Sequence, residues 1–171
     1  MRIAPFIVAA TLLTLTACGQ SPDTTAQLEA MQASADAAAA QNLKDGEAYL
    51  ADIAKQPGII KLPSGVMYKI VSRAQTPGAQ ATINDTVTTH YEGKLLSGSV
   101  FDSSFVRNEP ASFPVGGVIE AWQEVIPLMR VGDEVMLYTP ASAAYGEVDK
   151  GKIPPNSTLI FRIQLLGIQG K

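Results

Sequence analysis

Residues able to carry out covalent or proton-transfer chemistry are few in this sequence. It holds one histidine, His90, and one cysteine, Cys18, which is too few for a Cys-His nucleophile or for a zinc site built from these residue types. A Ser-His-Asp set can be assembled on paper from Ser103, His90 and Asp102, but no Gly-x-Ser-x-Gly turn accompanies it. Asp102 also lacks a second carboxylate at the spacing that glycosidases use. We therefore interpret His90 as a structural strand residue.

Aromatic side chains are concentrated around the same segment. The chain is only 6% aromatic, yet Tyr91, Phe101 and Phe105 all fall within "HYEGKLLSGSVFDSSF". Strand alternation directs Tyr91 and Phe161 to the same interior face. Further apolar residues flank them: Phe113, Val118, Ile119 and Trp122. Such sets usually form a hydrophobic core, but Phe101 and Phe113 lie in turn-rich segments where core residues are less expected. The pattern indicates an apolar cavity.

Length and charge restrict the class of protein further. The chain has 171 residues and a formal net charge of −3, a length that suits one domain with accessory segments. Binding to nucleic acid requires patches of Lys and Arg, and none is visible in this acidic sequence. We therefore expect no nucleic-acid partner.

The N-terminus has the pattern of an export signal. Arg2 precedes an apolar run from Ile3 to Leu15, which is short for a membrane-spanning helix. The following "LTAC" resembles a bacterial lipoprotein box, in which Cys18 would be lipidated and become the mature N-terminus. The alternative is an ordinary signal peptide with a chance cysteine. We expect a signal peptide at 1–17, and Gly19 favours the outer membrane, facing the periplasm.

An alanine-rich segment connects this leader to the rest of the chain. After a polar tether over 18–23, composition predicts a helix over 24–57, with a possible break at Asp45-Gly46. Its apolar stripe is narrow and mostly alanine. The helix is either a solvated spacer or a surface for a second subunit. We favour the spacer and a monomer, with a dimer as the alternative.

The remaining sequence is rich in strands. Alternation predicts strands in "GVMYKIV", "DTVTTHYEGKL", "DEVMLYTP" and "TLIFRIQLLGI". In "EAWQEVIPLM" the apolar residues fall at helical spacing, and Pro127 limits that helix to about two turns. A short helix with one apolar side must lie against the sheet. The fold class is therefore α+β, with an antiparallel sheet and one short helix.

Four motifs in this region identify a family resemblance. "VTTHYEGKLLSGSVFDSSF", "SFPVGGVIEAW", "YTPASAAYG" and "IPPNSTLIFRIQLL" together resemble the FKBP-type peptidyl-prolyl cis-trans isomerases, over about Leu62 to Ile168. The upstream "GEAYLADIAKQPGIIKLPSGVMYKIV" is similar to the linker of exported bacterial members of the macrophage infectivity potentiator type. The resemblance implies a sheet of about five strands wrapped around one short helix, within a domain over 58–171.

The resemblance also implies a substrate pocket. Catalytic roles would fall to Tyr91, Phe101, Asp102, Tyr145 and Phe161. Substrate would contact Phe113, Val118, Ile119, Trp122 and Ile153. Trp122 would form the floor, while the Ile119 N–H and the Tyr145 hydroxyl would bond substrate carbonyls. Family members use no metal or cofactor. One departure is Ala121, which stands where the family usually has Gly, and its methyl group would crowd the floor or shift the helix start.

The expected activity is therefore isomerisation of Xaa–Pro bonds in periplasmic or surface polypeptides, with macrolide inhibitors of the family as further ligands. The runner-up is a non-catalytic chaperone or a module that binds proline-containing chains. A third interpretation is a structural lipoprotein whose pocket takes no ligand.

Overall fold

The computed structural model describes residues 22–171. The signal peptide, Cys18 and the start of the tether lie outside the described residues. The chain divides into two units, Met1–Ser34 and Ala35–Lys171. Within 22–171, no helix is both long and apolar enough to cross a bilayer.

Three α-helices and seven strands make up the described chain. Their bounds are α1 Pro22–Ile53, β1 Ile59–Lys61, β2 Met67–Ser72, β3 Thr86–Leu95, β4 Val100–Ser103, α2 Ser104–Arg107, β5 Ala111–Pro114, α3 Glu120–Val125, β6 Glu134–Thr139 and β7 Leu159–Ile168. All strand pairs are antiparallel, in the order β1-β2-β6-β7-β3-β4, and β5 pairs with β3. This confirms the α+β class. The sheet has seven strands, two more than the five expected. Strands β1 and β5 are only three and four residues long, which makes them hard to predict from sequence.

One face of the sheet packs against α3 to form the main core. Trp122, Val125, Ile126 and Met129 are all buried there, at the helical spacing that the sequence predicts. The α-helix ends at Val125 and continues as one 3₁₀ turn that contains Pro127, because proline cannot supply the N–H that an α-helix needs. The short helix therefore lies against the sheet as expected.

Strand alternation sends neighbouring residues to opposite faces of the sheet. Phe161 belongs to the main core, whereas the adjacent Ile160 belongs to a second cluster on the other face. Met67 and Tyr138 also lie in that second cluster, together with Leu50 of α1. The sheet is thus covered on both faces.

Helix α1 differs from the expected spacer in its second half. Residues 24–34 are exposed, as in a solvated helix, but Leu50 and Ile53 are buried against the sheet. The helix also runs without interruption through Asp45 and Gly46, so the predicted break is absent. A Cβ atom on Gly46 would collide with the side chain of Thr158. Glycine at this position therefore permits close packing of the helix and does not end it.

Phe101 and Phe113 were expected on connecting segments, and that expectation is wrong. Phe101 lies in β4 and Phe113 lies in β5. Both strands pair with β3, and the β3–β4 register shifts between Gly93 and Lys94. The strands are short and bounded by Gly, Pro and Ser, which gives the segments a turn-like composition.

The packing of Gly46 generates a stability prediction. In a solvated helix, Gly46→Ala would stabilise the protein by about 0.5–1 kcal/mol. Because the new methyl group meets Thr158, we expect a loss of about 1–3 kcal/mol in the free energy of unfolding instead. Urea unfolding of the full chain measures this difference. The control is the same substitution in a Thr158→Ala background, where the hydroxyl is gone and the cost should fall. A gain in stability from Gly46→Ala alone would contradict the packing.

Candidate functional site

A cavity of about 510 Å³ opens between α3 and the strands of the main core. Its walls are largely aromatic and its opening faces solvent. The lining residues are Tyr91, Phe101, Asp102, Phe113, Gly117, Val118, Ile119, Trp122, Tyr145 and Phe161. Concave, mostly apolar sites with a few polar groups are typical of ligand pockets.

Trp122 forms the centre of the aromatic wall. Its ring meets Tyr91 edge-on at 5.2 Å between centroids, Phe161 edge-on at 5.3 Å and Phe113 at 5.3 Å. Edge-to-face contacts at these distances are favourable, because the positive ring edge meets the negative face. Trp122 itself is only 5% exposed. Its indole is therefore held in place by aromatic neighbours before any ligand enters.

Gly93 creates the space for the deeper wall. It lies in β3 two residues after Tyr91, and a Cβ atom there would overlap the rings of Phe101 and Phe161. Those two rings meet edge-on at 5.8 Å between centroids. Sequence reasoning did not select Gly93, although a glycine inside a strand commonly marks a close approach of this kind. The absence of its side chain lets both phenyl rings pack over the strand.

One polar network stands at the mouth of the cavity. The Tyr91 hydroxyl donates to Asp102 Oδ2, and Arg107 Nη1 donates to Asp102 Oδ1. Arg107 Nη2 also donates to the Tyr91 hydroxyl at 3.2 Å. Arg107 ends the short helix α2, whose start is capped by the Ser103 hydroxyl accepting from the Val106 N–H. Both oxygens of the Asp102 carboxylate are therefore satisfied.

The network sets the protonation states of Tyr91 and Asp102. Partial burial disfavours the charged form of Asp102, but the hydrogen bonds from Tyr91 and Arg107, with the charge of Arg107, outweigh it and lower the pKa of Asp102 below its ordinary 3.8. Burial and the bond to Asp102 raise the pKa of Tyr91 above its ordinary 10.0. Near neutral pH, Asp102 is a carboxylate and Tyr91 is a neutral phenol. These groups form a fixed wall and do not exchange protons.

Several donors in the cavity wall have no partner within residues 22–171, and the buried indole N–H of Trp122 is one of them. The Ile119 N–H immediately precedes α3 and bonds to no acceptor there, and the hydroxyl of half-buried Tyr145 makes no hydrogen bond there. An unpaired donor beside an apolar surface is available to a ligand carbonyl. The family resemblance implies this role for the Ile119 N–H and the Tyr145 hydroxyl.

The structure gathers nine of the ten expected site residues around the cavity. Ile153 is the exception, since it is buried in the main core and does not line the wall. Ala121 is fully buried in the same core and also lies outside the lining set. Gly117 and Arg107 were also not predicted from sequence. Gly117 lines the cavity. Arg107 lies five residues after Asp102 in the chain and donates a hydrogen bond to its carboxylate.

The structure does not bring Ser103, His90 and Asp102 together as a catalytic triad. His90 Nδ1 lies 3.0 Å from Ser104 Oγ, and its ring stacks on Phe105 at 4.8 Å between centroids. Ser103 caps α2, and Asp102 is occupied by Arg107 and Tyr91. The structural interpretation of His90 agrees with these contacts.

The carboxylate network predicts a pH effect. A lowered pKa in the fold means that ionised Asp102 adds stability at pH values above its unfolded pKa, and that this contribution is lost as the pH falls through the folded pKa. Arg107→Gln removes the positive charge, so we expect the pKa of Asp102 to rise and the loss to begin at higher pH. Carboxyl-carbon NMR titration of Asp102 measures the pKa directly. Arg130→Gln is the matched control, because among residues 22–171 the Arg130 side chain bonds to Gly78 and Gln80 and not to Asp102. Equal Asp102 titrations in both variants would refute the assignment.

Comparison with known proteins gives two family matches. The model described as "FKBP-type peptidyl-prolyl cis-trans isomerase" matches residues 78–166. The model described as "Domain amino terminal to FKBP-type peptidyl-prolyl isomerase" matches residues 13–70. The first match contains all the cavity-lining residues, and the second includes α1, β1 and the first four residues of β2.

Individual relatives agree with these matches. The FKBP-type peptidyl-prolyl cis-trans isomerase FkpA of Aeromonas hydrophila is 42% identical over 141 residues, which are 82% of this chain and 52% of that protein. The outer membrane protein MIP of Legionella longbeachae is 42% identical over 132 residues, 77% of this chain and 56% of that protein. The chain thus spans a little over half the length of these curated relatives.

A solved structure extends the likeness to three dimensions. The crystal structure of FkpA from Escherichia coli superposes with a TM-score of 0.76 at 33% identity, covering 88% of this chain and 74% of that one. Sequence, fold and cavity agree, and the chain belongs to the FKBP-type peptidyl-prolyl cis-trans isomerase family.

Proposed function

We propose that this protein accelerates cis–trans isomerisation of Xaa–Pro bonds in polypeptides by binding the proline in the aromatic cavity, and so assists their folding. One observation carries the proposal. The cavity combines the buried indole of Trp122 with two unpaired donors, the Ile119 N–H and the Tyr145 hydroxyl, within the described chain. Membership of the family supports the same activity.

The physical basis is the loss of amide polarity during rotation. Rotation about the peptide bond breaks its resonance, with a barrier of roughly 18–20 kcal/mol. The planar amide carries separated charge on nitrogen and oxygen, and the twisted amide carries less. An apolar, partly dry cavity therefore favours the twisted state over the planar one relative to water. This mechanism requires neither a nucleophile nor a proton-transfer group.

The required acceleration is within reach of such a site. Uncatalysed isomerisation takes roughly 10–100 s, so turnover in milliseconds requires about 4–5 decades, or about 5–7 kcal/mol. Transfer of the amide out of water supplies part of this free energy. Hydrogen bonds from Ile119 and Tyr145 to substrate carbonyls hold the rotating bond in one orientation and supply another part.

We assign roles to the cavity residues on this basis. Trp122 is the floor under the proline ring, and Tyr91 and Asp102 form a fixed polar wall. Ile153 supports the loop that follows Tyr145 from within the core. Apolar walls around the ring come from Phe101, Phe113, Val118, Ile119 and Phe161. The proposed mechanism assigns no step to a metal or cofactor.

We further propose a location in the bacterial cell envelope, with a lipid on Cys18 and the outer membrane as the site of anchoring. The lipoprotein-box pattern before Cys18 supports the anchor, and the similarity to a relative named outer membrane protein MIP supports the location. The partners are proline-containing unfolded chains and macrolide inhibitors of the family. A monomer is the proposed state, and light scattering of the purified chain tests it against a dimer.

The activity test uses a Leu-Pro peptide. The full chain should accelerate its isomerisation, and a macrolide of the kind that binds this family should abolish the acceleration by filling the cavity. Exchange NMR measures both rates without a coupled protease. A folded protein that binds the peptide without accelerating isomerisation would replace the enzyme with a proline-binding module. A folded protein that does neither would overturn the site altogether.

The hydroxyl of Tyr145 yields a sharper prediction. Tyr145→Phe keeps the ring and removes one hydrogen bond to substrate, so we expect kcat/KM to fall about 5- to 15-fold, since such bonds contribute roughly 1–1.5 kcal/mol. The matched control is Tyr138→Phe, because Tyr138 lies in the cluster around α1 on the opposite face of the sheet. A loss of the same size in both variants would indicate a general effect on the fold and would contradict the role of Tyr145.

A further inference from the structure

We propose that Lys150 makes the cavity selective for Xaa–Pro bonds flanked by an acidic residue. The inference rests on the proposed isomerase function and adds a substrate preference to it. Lys150 follows Tyr145 by five residues, in the charged loop "GEVDKGK" that spans residues 146–152.

Lys150 lies beside Tyr145, a residue of the cavity wall. Its ammonium nitrogen is 5.6 Å from the centroid of the Tyr145 ring, a cation–π distance. Tyr145 lines the cavity, and its hydroxyl is one of the unpaired donors described above. A polypeptide whose carbonyl accepts from the Tyr145 hydroxyl would place the residues next to its proline near Lys150. Lys150 is exposed, so its charge is accessible to those residues.

The loop backbone holds Lys150 in this position. The Lys150 N–H donates to the Ile153 carbonyl at 3.0 Å, and the Lys152 N–H donates to the Lys150 carbonyl at 2.9 Å. Ile153 is buried in the main core. At the base of the loop, the Asn156 N–H donates to the Gly146 carbonyl at 2.7 Å. The point of attachment of the lysine side chain is therefore fixed relative to the cavity.

The ammonium group of Lys150 is also not held in an ion pair, although Glu147 and Asp149 belong to the same loop. Across residues 22–171, no carboxylate lies within ion-pair distance of its ammonium group. Oδ1 of the neighbouring Asp149 accepts a hydrogen bond from the Gly151 N–H at 2.6 Å. On the other wall, Asp102 is already neutralised by Arg107. A substrate carboxylate would therefore meet a cation that is not engaged in an ion pair.

The expected preference is modest, because the mouth of the cavity is open to water. One unit charge at roughly 6–8 Å from another in water changes a binding constant about two- to fourfold. The effect should fade as salt is added, since the Debye length shortens from about 10 Å at 0.1 M to about 3 Å at 1 M ionic strength, which is less than the separation of the two charges. This salt dependence distinguishes a charge effect from a change in shape.

The test compares capped peptides that differ by one charge. Two pairs carry Glu or Gln, immediately before the proline in one pair and immediately after it in the other. Exchange NMR at low ionic strength gives kcat/KM for each peptide with the full chain. We expect the Glu peptide to exceed its Gln partner about two- to fourfold in at least one pair. Lys150→Gln should bring that ratio to about one, and Lys150→Glu should invert it.

The matched control is Lys152→Gln, which removes the same charge from the same loop at a residue with no cation–π contact to the Tyr145 ring in the described structure. It should keep the Glu preference. The inference is overturned if the unmodified chain shows no preference in either pair, or if Lys152→Gln removes the preference as fully as Lys150→Gln. Failure to accelerate even the Gln peptides would refute the proposed isomerase function, and the Lys150 inference with it.

Discussion

The burial of Trp122 between α3 and the inner face of the sheet is the packing on which the rest of the structure depends. The helix is only six residues long, so it covers part of that face and leaves the remainder open. The indole contacts three aromatic rings, each from a different strand: those of Tyr91, Phe113 and Phe161. The cavity is therefore the uncovered part of the core, and the same side chains stabilise the fold and form the site.

Asp102 places a carboxylate in the wall of this aromatic cavity. Its two oxygens accept from Tyr91 and Arg107. Burial opposes the ionised form of Asp102, yet these bonds outweigh it. The result is a wall whose charges cancel locally. An apolar substrate ring can thus approach Tyr91 without stripping water from an unpaired ion.

Much of this arrangement could be predicted from sequence, for identifiable reasons. Alternation placed Tyr91 and Phe161 on one face because side chains in strands repeat every two residues. Helical spacing likewise placed Trp122 toward the sheet. Phe101 and Phe113 were assigned to loops because their strands are four residues long, too short for a periodic signal. Arg107 escaped notice because its importance comes from contacts that only the folded chain brings together.

The second half of α1 shows the same limit and also bears on function. Its sequence is poor in large apolar residues, which suggested a spacer, but Gly46 and Leu50 give it a close fit to the sheet. Periodicity cannot reveal a fit that depends on the absence of a side chain. The cluster around α1 includes Ile160, whose neighbour Phe161 lines the cavity. A site that works by a fixed apolar shape depends on a rigid wall, and packing on both faces of β7 supplies that rigidity.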